Sequence, residues 1–466
     1  MLDLRLEAQA GQPLVEQIVA GLRGQIDDRV LRSGHRLPPI RRFAEHYGVS
    51  RFTVVEAYER LVALGYLQSR RGSGFYVAQR AQSVPAANHA PLSDRAVDVA
   101  WMLRRALDAP PDQLRASDGH LPPSWLDDEA LRRQIRAIAR DDGARLTRYG
   151  QAQGWLPLRE QLCVRLAEMD VAATPEQIVL TQGATQALDL VARYLVRPGD
   201  AVLVEDPGYY NFFGNLRLIG ARLIGVPRGP NGPDVDAMEK LAAEHKPRLF
   251  FMQSALHNPT GGDLSPAIAH RILQCAERHD FLIIEDDIYG EMQAMPSTRL
   301  ATLDQLSRVI YVGGFSKTLS ANLRVGFLAA SPELAQTIGD VKTLCVVSSS
   351  EFAERVVWGL LVEGQFRRHI DRVRQRLEAA RSSAMRLIER VGLELPSEPK
   401  AGMFMWTRIP GSEDAAPLAE AAAREGIVIA PGHIFRPQMQ ASPFLRLNAA
   451  YASDKRLERF LSQALG

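Results

Sequence analysis

The chain has 466 residues, 46% hydrophobic and 24% charged, the balance of a soluble globular protein long enough for two or three domains. No apolar run approaches the ~20 residues of a membrane span, and the opening Met1-Leu2-Asp3-Leu4-Arg5 lacks the apolar core of a signal peptide, so a cytoplasmic protein is expected. Cys163, Cys275 and Cys345 lie far apart without metal-like spacing, which argues against a disulfide framework or a zinc site.

The net charge of +2 conceals an asymmetry. Residues 1–80 hold 12 arginines and no lysine against 8 acidic residues, a balance of +4, whereas the remainder sums to −2. A small basic module on a near-neutral body predicts a polyanionic partner for the first segment.

Pro13 followed by apolar residues at helical spacing, from Leu14 to Val30, predicts an amphipathic helix over residues 13–31 that ends near Ser33-Gly34. The run from Leu37 to Leu61 then reads as a short helix opened by proline, a Gly48-Val49 turn, and a second helix capped by Ser50, which is a helix-turn-helix pattern. Its second helix buries Val54, Ala57, Tyr58 and Leu61 and leaves Arg51 and Thr53 free at the end that enters a major groove in such motifs. Between Leu67 and Val77, Arg70-Arg71-Gly72-Ser73-Gly74 forms a basic turn joining two short strands. Residues 13–78 resemble the winged helix of GntR-type transcription regulators in their Leu-Pro-x-x-Arg, Gly-Val-Ser-Arg, Ala-Tyr-x-x-Leu and Arg-x-Gly-x-Gly order. The resemblance implies that Arg41, Ser50, Arg51, Thr53, Arg70, Arg71, Gly72 and Gly74 contact double-stranded operator DNA. Pro39 departs from it, standing where the family usually has a serine.

The proline-bearing, aperiodic stretch at 79–94 is read as a linker, dividing the chain into a winged-helix domain at 1–78 and a second domain at 95–466. There, the runs at 178–181, 201–204, 249–252 and 281–284 are buried strands separated by helical stretches, which predicts a largely parallel α/β sheet with helices on both faces. Gly183 turns the first of these strands into a helix whose open N–H groups, with the Thr185 hydroxyl, suit a phosphate. Three strand ends carry polar residues, Glu205-Asp206, His257-Asn258 and Glu285-Asp286-Asp287, and ligands in open α/β sheets bind at such ends. The run Ile310 to Val312 stops at Gly313-Gly314-Phe315-Ser316-Lys317, with Arg324 shortly after. A lysine so placed and desolvated is a usable amine for a Schiff base, although the same window also fits a surface lysine in a glycine-rich loop.

Residues from about 115 to 460 resemble a fold-type-I, pyridoxal 5'-phosphate (PLP)-dependent aminotransferase. The resemblance implies a smaller C-terminal α/β subdomain at about 345–466. It gives Lys317 as the catalytic aldimine lysine, Asp286 on the pyridinium nitrogen, Tyr289 and Asn258 at the ring hydroxyl, and Tyr209 stacked on the ring with Tyr210 as the alternative. It puts Ala184, Thr185, Ser316 and Arg324 at the phosphate, Tyr149 at the partner subunit's phosphate, and Arg446 on a substrate α-carboxylate. Gly314 departs from it, many relatives having Ser or Thr there. A winged helix ahead of such a domain is the layout of the MocR/GabR-type regulators. The expectation is a homodimeric, PLP-dependent transcription regulator that senses an amine or amino acid through an external aldimine. A working aminotransferase with an accessory DNA-binding domain, and a sensor of PLP itself, remain open, as does a part for His433 and Arg436 in side-chain choice.

Overall fold

The computed structural model describes residues 4, 6, 13–28, 30–70, 73–78, 110, 112–141 and 147–465, which fall into two units, Met1–Ala90 and Pro91–Gly466. The expected linker at 79–94 lies outside the described residues.

In the first unit, α1 (Leu14–Asp27) contributes Ile18 and Leu22 to the core. It ends earlier than its apolar periodicity suggests, with Asp28 as its C-terminal cap, and Leu31, whose N–H donates to the Gln25 carbonyl, is buried in the same core. Helix α2 (Ile40–Tyr47) follows Pro39, which makes no side-chain cap, and stops at Gly48, whose φ of 64° closes the turn. Ser50 then accepts the Thr53 N–H at 3.0 Å and opens α3 (Arg51–Ala63), whose buried face is Val54, Ala57, Tyr58 and Leu61. Strands β1 (Leu67–Arg70) and β2 (Gly74–Val77) pair antiparallel. Leu67 and Val77 close over the helices.

The second unit is built on β3 (Ile178–Thr181), β4 (Ala201–Asp206), β5 (Arg222–Gly229), β6 (Gly232–Pro233), β7 (Leu249–Met252), β8 (Leu282–Asp286), β9 (Val309–Gly314) and β10 (Gly326–Ala329). They form one sheet in the order β3-β10-β9-β8-β7-β4-β5-β6. Neighbours from β9 through β8, β7 and β4 to β5 are parallel, while β10 runs antiparallel to both β3 and β9. The central strands are apolar on both faces, as a covered parallel sheet requires. Helices α4 (Asp128–Arg140), α5 (Leu156–Ala167), α6 (Ala184–Leu195), α7 (Tyr210–Leu218), α8 (Val235–His245), α9 (Pro266–His279), α10 (Leu300–Asp304), α11 (Pro332–Val346) and α12 (Glu351–Val362) supply the cover. Leu203, Phe250 and Ile283 pack on one side with α5, α8, α9 and α12. Val204, Phe251 and Ile284 pack on the other with α6, α7 and α11.

After the long helix α13 (Gln365–Arg390), strands β11 (Phe404–Arg408), β12 (Ala430–Pro431) and β13 (Phe444–Asn448) form a small antiparallel sheet in the order β11-β13-β12. Its core includes α14 (Ala416–Arg424) and α15 (Lys455–Leu465). The packing does not change near residue 345 as expected. Residues of α12 and the start of α13 bury against the large core, whereas Leu114 and Ala116, from far upstream, join the small one. An amphipathic helix goes wherever its apolar stripe is covered, and α13 is long enough to serve both cores.

Candidate functional site

Parallel strands deliver their C-terminal ends to one edge, and here that edge carries Asp286 at the end of β8, the loop after β4 with Tyr209, and the loop after β9 with Lys317. These side chains line one cleft with Ala184, Thr185, Ser316 and Arg324. Burial pushes the Lys317 ammonium down to about 8, against the opposing pull of the Asp118 and Asp286 carboxylates. Asp286 is 1% exposed and accepts a hydrogen bond from Gln253 Nε2 at 2.8 Å; burial pushes its carboxyl up to about 7. A carboxyl so raised calls for a cationic or proton-bearing partner in the cleft. The Tyr289 ring lies 6.0 Å from Lys317 Nζ, and burial holds its phenol well above its ordinary range.

At the other end of the cleft, Gly183 (φ 77°) turns the chain into α6. A Cβ on Gly183 would come within 2.6 Å of the Arg324 guanidinium, so only glycine lets that cation close over the helix start. Arg324 donates to Ser316 Oγ and to the Gln182 carbonyl, each at 3.2 Å. Open N–H groups, two hydroxyls and a guanidinium at a helix N-terminus make a cradle for a phosphate dianion. At Gly314 a Cβ would have ordinary space, 3.7 Å from Ala184 N, so the missing hydroxyl is a matter of residue choice rather than sterics.

Arg446, on β13, is 3% exposed and lies between the Phe404 and Phe435 rings at 4.7 and 4.9 Å. It donates to Asn258 Oδ1 at 2.6 Å and to the Ser117 carbonyl, while its Nε has no partner. The Asn258 N–H is held by Gln253 Oε1 at 2.8 Å, so Gln253 ties Asp286 and Asn258 together.

Other polar strand ends turn away. Glu285 accepts from the N–H groups that open α10, and Asp287 holds Arg299 at 2.7 Å and Tyr311 at 2.8 Å. Glu205 forms a buried cluster with Arg228 and His257 beneath Gln253. Arg436 is engaged by Asp206 through two bonds of 3.1 and 3.2 Å. His433 lines a separate cavity of about 340 Å³, bounded by Asp118, Tyr210, Arg446 and the apolar face of α14. Tyr149 is 82% exposed and does not line the Lys317 cleft. Sequence reasoning missed Gln253 and also His120, whose Nε2 stands 3.1 Å from Lys317 Nζ. Neither lies in a run with diagnostic spacing.

In the first unit, Arg51 is exposed at the start of α3, and Ser50 and Thr53 share a 2.8 Å hydrogen bond. Arg41 pairs with Glu45 at 3.0 Å. Arg70 lies over the Tyr76 ring at 4.6 Å, and Gly74 takes a φ of 104° in the wing. Arg71 and Gly72 lie outside the described residues.

Residues 14–77 match the gntR family of bacterial regulatory proteins, and residues 117–463 match the class I and II aminotransferases. A probable rhizopine catabolism regulatory protein, MocR of Rhizobium meliloti, is 32% identical across 92% of this chain and 88% of its own length. The HTH-type transcriptional regulator TauR of Rhodobacter capsulatus is 30% identical across 93% and 92%. The chain belongs to the MocR-type regulators. Its aminotransferase domain is also similar to the crystal structure of LysN, the alpha-aminoadipate aminotransferase of Thermus thermophilus, complexed with N-(5'-phosphopyridoxyl)-L-leucine. That likeness has a TM-score of 0.71 and 30% identity over 78% of this chain and 94% of the enzyme. The fold of this MocR-type chain is therefore a fold-type-I aminotransferase domain preceded by a GntR winged helix. Among its described helices none is long and apolar enough to cross a membrane.

Proposed function

We propose that this chain is a PLP-dependent transcription regulator that responds to an amine or amino acid. The observation that carries the reading is the single cleft holding a lysine pushed down to about 8, a buried carboxyl pushed up to about 7, and a glycine-opened helix start under Arg324. Those donors fit PLP: a phosphate for the helix start, a ring nitrogen for Asp286, an aldehyde for Lys317. PLP, when bound, supplies an electrophilic carbon and an electron-withdrawing ring.

The residues divide that work. Ala184 N–H, Thr185, Ser316 and Arg324 hold the phosphate, Tyr209 packs on the ring face, and Asp286 keeps the ring nitrogen protonated. Tyr289 and Asn258 serve the ring hydroxyl, with Asn258 shared by Arg446. Lys317 offers its amine, for which an incoming amine competes, and Arg446 pairs with an α-carboxylate as a fork. Tyr149 serves the site of a second copy in a homodimer. Arg51, Thr53 and Arg70 face operator DNA together with Arg41, Ser50, Arg71, Gly72 and Gly74. An effector alters DNA affinity only as far as it binds one arrangement of the two units better than the other.

The full residue set also favours a second reading, a working aminotransferase. One experiment separates the two: add a panel of amino acids to the PLP-loaded protein, follow the visible absorbance, and measure operator binding in parallel. A regulator shows an absorbance change coupled to a change in DNA affinity without sustained turnover of a keto acid. Steady turnover with unaltered DNA binding refutes the regulatory reading. A DNA response to PLP alone, with no amino acid active, makes PLP itself the signal.

A further inference from the structure

His120 lines the Lys317 cleft, and Asp118 stands behind it, neither with a part in the assignments above. His120 Nε2 is 3.1 Å from Lys317 Nζ, and His120 Nδ1 is 3.0 Å from Asp118 Oδ1. Arg115 holds the other Asp118 oxygen at 3.4 Å. The carboxylate fixes the tautomer: Nδ1–H donates to Asp118, which leaves the Nε2 lone pair facing the lysine. The lysine must lose a proton before it attacks an aldehyde, and must regain one when another amine displaces it.

We propose that His120 is the proton acceptor and donor for Lys317, with Asp118 as the residue that positions it. In the forward direction the Nζ–H bond of the ammonium breaks, its electron pair remains on nitrogen, and the proton forms the Nε2–H bond of an imidazolium stabilised by Asp118. In reverse, the released amine recovers that proton. The inference rests on the reading of Lys317 as the cofactor lysine.

Electrostatics agree with the geometry. The Lys317 charge, followed by burial, pushes His120 down against the pull of Asp118, so the imidazole is the neutral acceptor while the lysine is charged. Asp118 stays ionised: against the cost of burial, its bond to His120 and the charges of Lys317 and Arg115 hold its carboxyl down at about 2. The other charged groups acting on Lys317 are Asp286, Arg446 and Arg324. The two arginines keep their charge near neutral pH, and Asp286, whose carboxyl burial pushes up to about 7, acts as a charge held by Gln253, whereas His120 Nε2 is the titrating group within hydrogen-bond distance of Nζ. The His120 side chain is 40% exposed, so its proton exchanges with water and the relay needs no further member.

The test compares wild type, His120→Gln and Asp118→Asn, each freed of PLP and checked for folding by circular dichroism. In stopped flow, PLP capture is followed by visible absorbance from pH 5.5 to 9.5. His120→Gln should be slower by about 100-fold below pH 7, the low end for a lost general base, and should converge on wild type at high pH where the amine is already free. Asp118→Asn should show a smaller loss of the same shape. A second arm omits the cofactor: reductive methylation of Lys317 by formaldehyde and cyanoborohydride, read by peptide mass spectrometry. Wild type should show an inflection from the imidazole, because it and the lysine compete for protons, that His120→Gln lacks, while any inflection from Asp286 is common to both. An unchanged profile, or a loss of equal size at every pH, overturns the proposal by assigning His120 a packing role. If wild type captures no PLP, the cofactor reading fails on its own, and the methylation profiles still decide whether His120 and Lys317 are coupled.

Discussion

Gly326→Ala probes the cleft without touching any reacting group. Gly326 begins β10 and is paired across the sheet with Gly314 on one side and Thr181 on the other, so it cannot withdraw without breaking two ladders. A Cβ there would stand 2.5 Å from Ala184 N and from the Gly183 carbonyl carbon. Ordinary contact needs roughly 1 Å more, and the neighbours are main-chain atoms with no rotamer to change. The softer element is the start of α6, which is anchored less than a central strand. A displacement of that size lengthens a hydrogen bond from about 2.9 Å beyond any useful distance. Losing one charge-assisted bond to a phosphate costs about 1.5–3 kcal/mol, or about 10- to 150-fold in PLP affinity. Overpacking adds about 1–3 kcal/mol to the loss of fold stability. The assay is titration of PLP-free protein by visible absorbance, with thermal unfolding alongside. PLP affinity within threefold of wild type, in a protein whose thermal midpoint has fallen, would refute the placement of the phosphate at α6.

Asp286→Asn should weaken PLP binding, and in the PLP-free protein it should flatten the dependence of stability on pH. The raised Asp286 carboxyl keeps a proton in the folded chain that the unfolded chain releases near pH ~4, so stability from this group is present at low pH and lost as pH rises towards about 7. Thermal midpoints measured from pH 4 to 8 check the sign. Arg446→Lys should leave PLP affinity within a few fold but reduce affinity for an α-amino acid by about 10-fold or more, since a point charge replaces a fork; spectral titration with amino acid and with the matching decarboxylated amine separates carboxylate recognition from amine chemistry. Arg51→Ala should cost about 1–3 kcal/mol on the specific operator and little on scrambled duplex, whereas Arg70→Ala should weaken both. Fluorescence anisotropy at several salt concentrations reads the difference, and equal losses on both duplexes for Arg51→Ala would remove it from the major groove.

The sequence determined more here than strand and helix content. Local rules sufficed for the winged helix, because its determinants are short-range: the Ser50 cap, the Gly48 turn, and the four buried positions of α3 all lie within 14 residues of one another, and each is in place. The apolar runs of the central strands were legible for a similar reason, since burial on both faces removes all ambiguity about polarity. Gly183 and Lys317 were legible through a family pattern that is itself local.

What only the tertiary structure decided is which polar neighbours act together. Glu285, Asp286 and Asp287 are consecutive, and alternation along a strand sends the middle one to the cleft and its neighbours to the opposite side, where α10, Arg299 and Tyr311 claim them. The alternation is in the sequence; the choice of face is set by where α6 and the Lys317 loop pack. The same holds for α13, whose apolar stripe gives no sign that it spans two cores. His120 is the extreme case. It reaches Lys317 across 197 residues of chain, carried there by the segment around Leu114 and Ala116 that packs on the small sheet, and no periodicity or motif records a meeting that exists only once two distant cores have formed.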